Sequence, residues 1–142
     1  MSAYADTSFL VSLYVLDGNS ARAAARLKPA LQPILLTPLN EVELTNAFYL
    51  RLFRREVNPA TIRAAQSLFQ EDLENGIFEV RPLSLAVFER AKRLAEKHTE
   101  RLGTRTLDVL HVAAALVSRA DAFLTFDANQ GRLAKAEGFV VP

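Results

Sequence analysis

Apolar and polar residues follow two different periods along the chain. Short apolar or alternating runs predict β-strands, and longer runs with apolar residues every three or four positions predict helices. The predicted strands are 2–5, 34–37, 77–81, 122–126 and 139–141. The predicted helices are 9–16, 20–28, 39–55, 59–75, 85–101, 107–117 and 130–137. Strands separated by helices cannot pair as hairpins, so we predict one α/β domain over 1–142, with a mostly parallel sheet and helices on both faces.

The helix at 59–75 has the clearest predicted boundaries. Asn58 can cap it, Pro59 suits the first helical position, and Gly76 follows the last turn. The helix at 107–117 is instead apolar on all sides, which predicts that it is buried.

Two glutamates in the helix at 39–55 are not equivalent. At 100° per residue, Glu41 falls on the polar side, whereas Glu43 falls inside an apolar stripe and should point toward the core. A lone carboxylate there would cost several kcal/mol or stay protonated. That stripe consists of Leu39, Val42, Ala47, Tyr49, Leu50 and Phe53, and a second one on the opposite face consists of Leu44, Phe48 and Leu52. Two interpretations stay open: an ordinary buried helix, or a helix covered on one side by a second copy or a partner.

Two aspartates occupy strand-to-helix junctions. Asp6 and Asp127 each follow a short apolar strand and directly precede a helix. In an open parallel sheet this is the carboxyl edge, where binding sites form. An aspartate at such a junction is also the usual helix cap, which contributes about 1 kcal/mol, so capping alone is the alternative interpretation for each.

A third aspartate, Asp108, opens the apolar helix in the segment TRTLDVLHVAAAL. Thr104 or Thr106 could already cap this helix, and interaction of Asp108 with the helix dipole would contribute less than about 1 kcal/mol. However, a charge that opens an apolar helix should be partly buried, and no lysine or arginine within the helix can neutralise it. Asp108 is therefore a further candidate site residue.

Acids gathered at strand ends and inner helix faces repel one another unless a cation lies between them. Mg²⁺ or Mn²⁺ is the expected cation, because these ions take oxygen ligands and retain waters. Such ions support attack of water on a phosphodiester. The two histidines, His98 and His111, are interpreted as structural.

Composition narrows the possible functions. Half of the 142 residues are apolar and 23% are charged, as in a compact globular protein, and the absence of cysteine excludes disulfides, iron–sulfur clusters and thiol catalysis. The N-terminal residues show no leader and no apolar run could span a bilayer, so we expect a cytoplasmic protein without membrane contact. The net charge of only +1 means that attraction of a nucleic acid would have to be local. The candidate phosphate-facing residues are Arg51, Arg54, Arg55, Arg101 and Arg105.

Other enzyme classes fit less well. The chain has no GxSxG elbow, Walker loop or GxGxxG. Haloacid-dehalogenase-type phosphatases require a second aspartate two residues after the first, where this chain has Ser8, and the paired acids and late lysine of receiver domains are not apparent. A binding module, with the acids serving only as caps, is the non-enzyme alternative.

Four segments together resemble the PIN-domain nucleases, specifically VapC-type toxins of prokaryotic toxin–antitoxin pairs. They are YADTSFLVSLY, EVELTNAF, TRTLDVLHVAAAL and FLTFDANQGRLAKAEGFVV, which occur in the family's order and spacing over nearly the whole chain.

The resemblance implies a three-layer α/β/α fold with an acidic metal site on Asp6, Glu43, Asp108 and Asp127. It places Asn46 and Thr125 at polar positions beside that site. It further implies Mg²⁺ or Mn²⁺, cleavage of RNA, homodimers, and inhibition by a cognate antitoxin whose tail occupies the acidic groove. A housekeeping nuclease of the same fold and a catalytically silent binding module are the alternatives.

Overall fold

The computed structural model describes residues 1–142 and contains a four-stranded, wholly parallel sheet. Its strands are β1 (Ala3–Ala5), β2 (Ile34–Leu36), β3 (Phe78–Val80) and β4 (Ala122–Leu124). The order across the sheet is β3-β2-β1-β4. The prediction of a parallel sheet is confirmed.

Helices make up the rest of the regular structure. They are α1 (Thr7–Tyr14), α2 (Ser20–Arg26), α3 (Pro38–Phe53), α4 (Pro59–Glu74), α5 (Leu85–Leu94), α6 (Glu100–Leu102), α7 (Thr106–Val117) and α8 (Ala128–Ala136). A 3₁₀ turn lies at Pro29–Leu31, and a π-helical turn at Ala95–Thr99 joins α5 to α6. None of the helices combines the length and apolarity needed to cross a bilayer.

The sheet separates two hydrophobic cores. Ala3 and Ala5 of β1 face the core that α1 to α4 cover, whereas Tyr4 faces the core that α5, α7 and α8 cover. This alternation follows from the two-residue period of a strand. Helices therefore lie on both faces, which confirms the three-layer α/β/α architecture.

Local sequence signals explain most helix boundaries. The side chain of Asn58 accepts a hydrogen bond from the backbone N–H of Thr61 at 2.9 Å, as predicted for the cap of α4. Gly76 follows α4 with a φ of 75°, a left-handed conformation that glycine adopts without steric cost.

Two predicted elements differ from the structure. The helix expected over 85–101 is interrupted, because the backbone widens into the π-helical turn after Leu94. The strand expected at 139–141 is reduced to one parallel bridge between Ala122 and Val140. Only two backbone hydrogen bonds hold that segment to the sheet edge: Phe123 N–H to Val140 O and Val140 N–H to Asp121 O.

The chain order creates a reversal beside β1. From β1 the chain moves outward to β2 and β3, and it then crosses to β4 on the other side of β1. The connections after β1 and β4 consequently diverge, which leaves a crevice at the carboxyl ends of these two strands. Asp6 and Asp127 follow these strands at that crevice.

Candidate active site

Asp6 is completely buried where β1 passes into α1. One carboxylate oxygen accepts the backbone N–H of Phe9 at 3.0 Å and the hydroxyl of Ser8 at 2.6 Å, and the other accepts the hydroxyl of Thr125. Burial raises the pKa of Asp6 above its ordinary value, although the hydrogen bonds from Ser8 and Thr125 oppose this shift. Asp6 is thus a helix cap whose ionised form is unfavourable at this buried position, and an added cation would stabilise that form.

Asp127 occupies the equivalent position after β4. Its side chain caps α8 by accepting the backbone N–H of Gln130 at 3.0 Å, yet it remains 27% exposed. Thr125 connects the two junctions, because its hydroxyl donates to Asp6 and accepts the backbone N–H of Asp127 at 2.9 Å. Capping by Asp6 and Asp127 is confirmed, and Asp127 also lines the cavity beneath which Asp6 is buried.

Asp108 is buried in the first turn of α7. Its Oδ2 accepts the backbone N–H of Arg105 at 3.1 Å. The Arg105 guanidinium lies 3.6 Å from Asp108 and 3.8 Å from Asp127, so it bridges the two carboxylates from just outside the helix. Its side chain is 72% exposed, so the pairs contribute little to stability and the guanidinium is free to move toward a bound phosphate.

Glu43 reaches the site from α3. Its Oε1 accepts the Thr7 hydroxyl at 2.9 Å and also contacts Nε2 of His111. Burial by itself would raise the pKa of Glu43, but the hydrogen bond and charge of His111 outweigh burial and hold the pKa below its ordinary value. Glu43 is therefore poised as an ionised carboxylate, which has no proton to donate, so Nε2 of His111 is the hydrogen-bond donor.

A buried series of polar groups supports Glu43 from behind. Nδ1 of His111 lies 2.7 Å from the Tyr4 hydroxyl, which lies 3.1 Å from Oδ1 of Asn40. Nδ2 of Asn40 donates to the carbonyl oxygen of Ala5 at 3.0 Å, next to Asp6 in the chain. Sequence reasoning treated His111 as structural and did not select Tyr4 or Asn40. The available signal was that His111 lies one helical turn after Asp108.

His98 is structural, as interpreted from the sequence. It is buried, and its Nε2 lies 2.6 Å from a carboxylate oxygen of Glu137. Glu137 also accepts a hydrogen bond from Lys97 at 3.1 Å. Neither His98 nor Glu137 lines the cavity between the candidate acids.

The apolar stripes of α3 lie differently from the sequence expectation. Leu44 and Phe48, from the second stripe, face the core, whereas Val42, Tyr49 and Phe53 are 67%, 51% and 83% exposed. Glu43 is half-buried next to the buried Asn40 and Leu44, and its Oε1 contacts Thr7 and His111. The helical wheel predicts correctly that Glu43 points inward, but it predicts the wrong stripe of α3 as the buried face.

Three of the four candidate acids line one cavity of about 540 Å³. Glu43, Asp108 and Asp127 reach its wall, and Asp6 lies beneath, hydrogen-bonded to Ser8 of the lining. The other lining residues are Thr7, Arg105, Thr106, Leu107 and Gln130. Arg105 is consequently the only cationic residue in the cavity, in agreement with its selection from the sequence.

The remaining residues selected from the sequence lie elsewhere, with one exception. Thr125 contacts Asp6 as the resemblance implied, but Asn46 is exposed on a separate depression beside Tyr49. Four of the five arginines selected from the sequence do not line the acid cavity: Arg51, which pairs with Glu56 at 3.7 Å, and Arg54, Arg55 and Arg101. The position of these arginines in the sequence therefore did not predict whether they line the cavity.

The donor atoms suit a hard divalent cation, because all four are carboxylates and two of them are buried. No three acidic or histidine side chains converge closely enough to ligate one ion directly. Mg²⁺ commonly takes one or two carboxylates and retains several waters, so the separation is compatible with that ion. Direct and water-mediated contacts from Asp6, Glu43, Asp108 and Asp127 could together hold it.

These features define an α/β/α domain with an acidic crevice at the topological reversal of its sheet. The PIN domain family model matches residues 3–136, and the chain therefore belongs to the PIN domain family. A search of curated proteins finds no match.

Solved structures of low sequence identity share this fold. PAE2754 from Pyrobaculum aerophilum is 18% identical with a TM-score of 0.66, and the match covers 99% of this chain and 83% of that one. VapC20 of Mycobacterium tuberculosis, a Sarcin-Ricin loop cleaving toxin, is 20% identical with a TM-score of 0.67, covering 97% and 96%. FitAcB from Neisseria gonorrhoeae is 18% identical with a TM-score of 0.66, covering 98% and 95%.

Proposed function

We propose that this protein is a divalent-metal-dependent ribonuclease that hydrolyses RNA phosphodiesters. Its site consists of Asp6, Glu43, Asp108 and Asp127, which hold Mg²⁺ or Mn²⁺. The observation that supports the proposal is that Glu43, Asp108 and Asp127, from distant parts of the chain, line one cavity, with Asp6 buried beneath it. Membership of the PIN domain family supports it, because members of that family are generally nucleases and typically use divalent metals.

When bound, the metal lowers the pKa of a coordinated water and neutralises phosphate oxygens. The carboxylates position the ion, and the His111 hydrogen bond keeps the Glu43 carboxylate fixed in its ionised form. Arg105, lying between Asp108 and Asp127, can turn toward a phosphate oxygen. In the proposed hydrolysis the oxygen of a water bonds to phosphorus while the P–O bond on the opposite side breaks, and the departing alkoxide takes up a proton that the water releases. No covalent intermediate forms on the protein.

A matched pair of glutamates on α3 tests the site. Glu43→Gln removes the charge that faces the cavity, whereas Glu41→Gln removes an exposed charge on the same helix. We expect Glu43→Gln to lower the rate of RNA cleavage in Mg²⁺ or Mn²⁺ by more than the roughly 10- to 100-fold that is typical of outer-shell changes. Glu41→Gln should cleave like the unchanged protein.

Asp108→Asn provides a second test of the same site. It should abolish cleavage, and its melting curve in the absence of metal should show an intact fold. Retained cleavage by Asp108→Asn, or equal activity of the two glutamate variants, would contradict the assignment of these acids to the site. No cleavage by the unchanged protein in Mg²⁺ or Mn²⁺ would instead favour a catalytically silent binding module.

We further propose that the protein is the toxin of a type II toxin–antitoxin pair, that it forms a homodimer, and that a cognate antitoxin inhibits it. The exposed apolar stripe of α3 supports a protein partner, because Val42, Tyr49 and Phe53 recur at i, i+7 and i+11 and share one face. The fold shared with VapC20 and FitAcB supports the toxin assignment.

The dimer is tested by light scattering during size-exclusion chromatography. Phe53→Ser should shift the mass from two copies toward one, whereas Leu85→Ser, at a residue that is 75% exposed on α5, should leave it unchanged. A monomeric unchanged protein would refute the homodimer. Growth arrest on expression that is relieved by the product of the neighbouring reading frame would support the toxin assignment, whereas unrestricted growth would favour a housekeeping nuclease.

A further inference from the structure

A second depression, which we call the basic groove, adjoins the acid cavity. It has a volume of about 370 Å³, and Asp127 lines both the groove and the acid cavity. Four cationic side chains line the groove: Arg22 and Arg26 from α2, and Arg132 and Lys135 from α8. Helices that are distant in sequence thus place four positive charges immediately beside the candidate catalytic acids.

Two of these guanidinium groups contact an aromatic ring. The guanidinium carbons of Arg22 and Arg26 each lie 5.1 Å from the ring centroid of Phe126. Phe126 is stacked in turn on the buried Phe9, with ring centroids 5.8 Å apart and an interplanar angle of 21°. Cation–π contact with an anchored ring reduces the freedom that the arginines would lose on binding a ligand.

The four cations have no anionic partner within the protein. None of them lies within 4.0 Å of a carboxylate, and the hydrogen-bond partners of Arg22 and Arg132 are the neutral side chains of Asn19 and Asn129. Partial burial and the adjacent charge of Arg22 lower the pKa of Arg26. The groove therefore gathers like charges whose repulsion an external anion would relieve.

We propose that the basic groove binds backbone phosphates of the RNA strand where it leaves the acid cavity past Asp127. This inference rests on the proposed ribonuclease function for the identity of the strand. Arginine suits the role, because its planar guanidinium donates two parallel hydrogen bonds to a phosphate. Since the net charge of the protein is only +1, such a local cluster supplies the attraction that the overall field lacks.

RNA is favoured over an acidic polypeptide because the groove adjoins, at Asp127, the cavity that would hold the scissile phosphate. One strand can place successive phosphates in the groove and in the cavity. An acidic polypeptide bound in the groove would gain nothing from the adjacent carboxylates, which carry the same charge as its own side chains.

Binding can be separated from cleavage by omitting the metal. A fluorescein-labelled single-stranded RNA of mixed sequence is titrated in EDTA with the unchanged protein, Arg22→Gln/Arg26→Gln, and the control Arg63→Gln/Arg93→Gln. The control removes the same charge from exposed, unpaired arginines on α4 and α5. Fluorescence anisotropy gives the affinity at several salt concentrations.

We expect the groove variant to bind RNA roughly tenfold more weakly. The slope of log K against log salt should become less steep by about 1.4, because each phosphate contact on a single strand contributes about 0.7. The control should change affinity less than about twofold. If Arg22→Gln/Arg26→Gln unfolds, Arg132→Gln/Lys135→Gln at exposed positions of α8 replaces it with the same expectation.

Equal affinities for the groove and control variants would overturn the proposal. The proposal would also be overturned if the groove variant lost binding of hexaglutamate but bound RNA as the unchanged protein does. That result would assign the groove to an acidic polypeptide. Groove-dependent RNA binding in a protein that never cleaves RNA with metal would instead refute the ribonuclease function alone.

Discussion

Tyr4→Phe tests the buried polar series behind Glu43. The substitution removes only the hydroxyl that lies 2.7 Å from Nδ1 of His111 and 3.1 Å from Oδ1 of Asn40. The ring can stay stacked on Phe123, with centroids 5.6 Å apart, so apolar packing is preserved. Any loss of stability would therefore report on hydrogen bonding.

The two partners of this hydroxyl are affected unequally. Oδ1 of Asn40 still accepts the backbone N–H of Thr37 at 2.9 Å, so it stays satisfied. Nδ1 of the buried His111 has no other partner within the protein. Leaving one buried polar atom unsatisfied costs about 1–3 kcal/mol, which corresponds to a decrease in Tm of about 2–12 °C in a domain of this size.

The free energy of unfolding is measured by urea denaturation, followed by circular dichroism in EDTA at pH 7. Tyr49→Phe is the matched control, because the Tyr49 hydroxyl is exposed and lies 3.4 Å from Gln66. Since Tyr49 lies on the α3 stripe proposed to bind a protein partner, all variants are compared at one protein concentration and their masses are checked by light scattering. The control should change stability by less than about 0.5 kcal/mol. Equal stabilities of Tyr4→Phe and Tyr49→Phe would refute the assignment of a structural role to this series.

Three further predictions concern stability. Burial raises the pKa of Asp6, so its ionised form destabilises the metal-free fold. The stability of Asp6→Asn relative to the unchanged protein should therefore increase as pH rises from about 4, the unfolded-state pKa, through the native pKa. A decrease in this relative stability over that pH range, measured by urea denaturation, would contradict the prediction. The pKa of Glu137 is lowered by its hydrogen bonds to His98 and Lys97 against the opposing effect of burial, so Glu137→Gln should lose about 1 kcal/mol at pH 7, and the deficit should shrink as pH falls below about 4; a deficit independent of pH would argue against the pair. Asn58→Ala should cost about 1 kcal/mol through loss of the α4 cap, whereas Asn58→Gly should cost only a few tenths, both measured by urea denaturation; equal losses would show that the cap is not responsible.

Local signals were sufficient to predict much of the fold and the candidate acids. Asp6 and Asp127 are predictable because a short apolar strand, an aspartate and a helix start follow one another directly in the sequence. Strand alternation with helices was likewise enough to predict the parallel sheet. Asp108 was selected because a charge opens an otherwise apolar helix.

Contacts between distant segments were not predictable in the same way. The hydrogen bond from His111 to Glu43 joins residues 68 positions apart, and the basic groove requires α2 and α8, which cover opposite faces of the sheet, to border one depression. The face of α3 that is buried also depends on what the sheet presents to it, since both of its stripes are apolar. Such features depend on tertiary packing, which periodicity does not encode.

The proposed metal site requires four carboxylates, at the ends of β1 and β4 and on α3 and α7, to hold a divalent cation jointly. Crystals soaked in MnCl₂ at neutral pH, with diffraction recorded at the manganese absorption edge, test it directly. We predict an anomalous peak in the cavity between Asp6, Glu43, Asp108 and Asp127, and its loss in Asp108→Asn crystals. An empty cavity in fully soaked crystals, with these carboxylates turned away from one another, would contradict the claim.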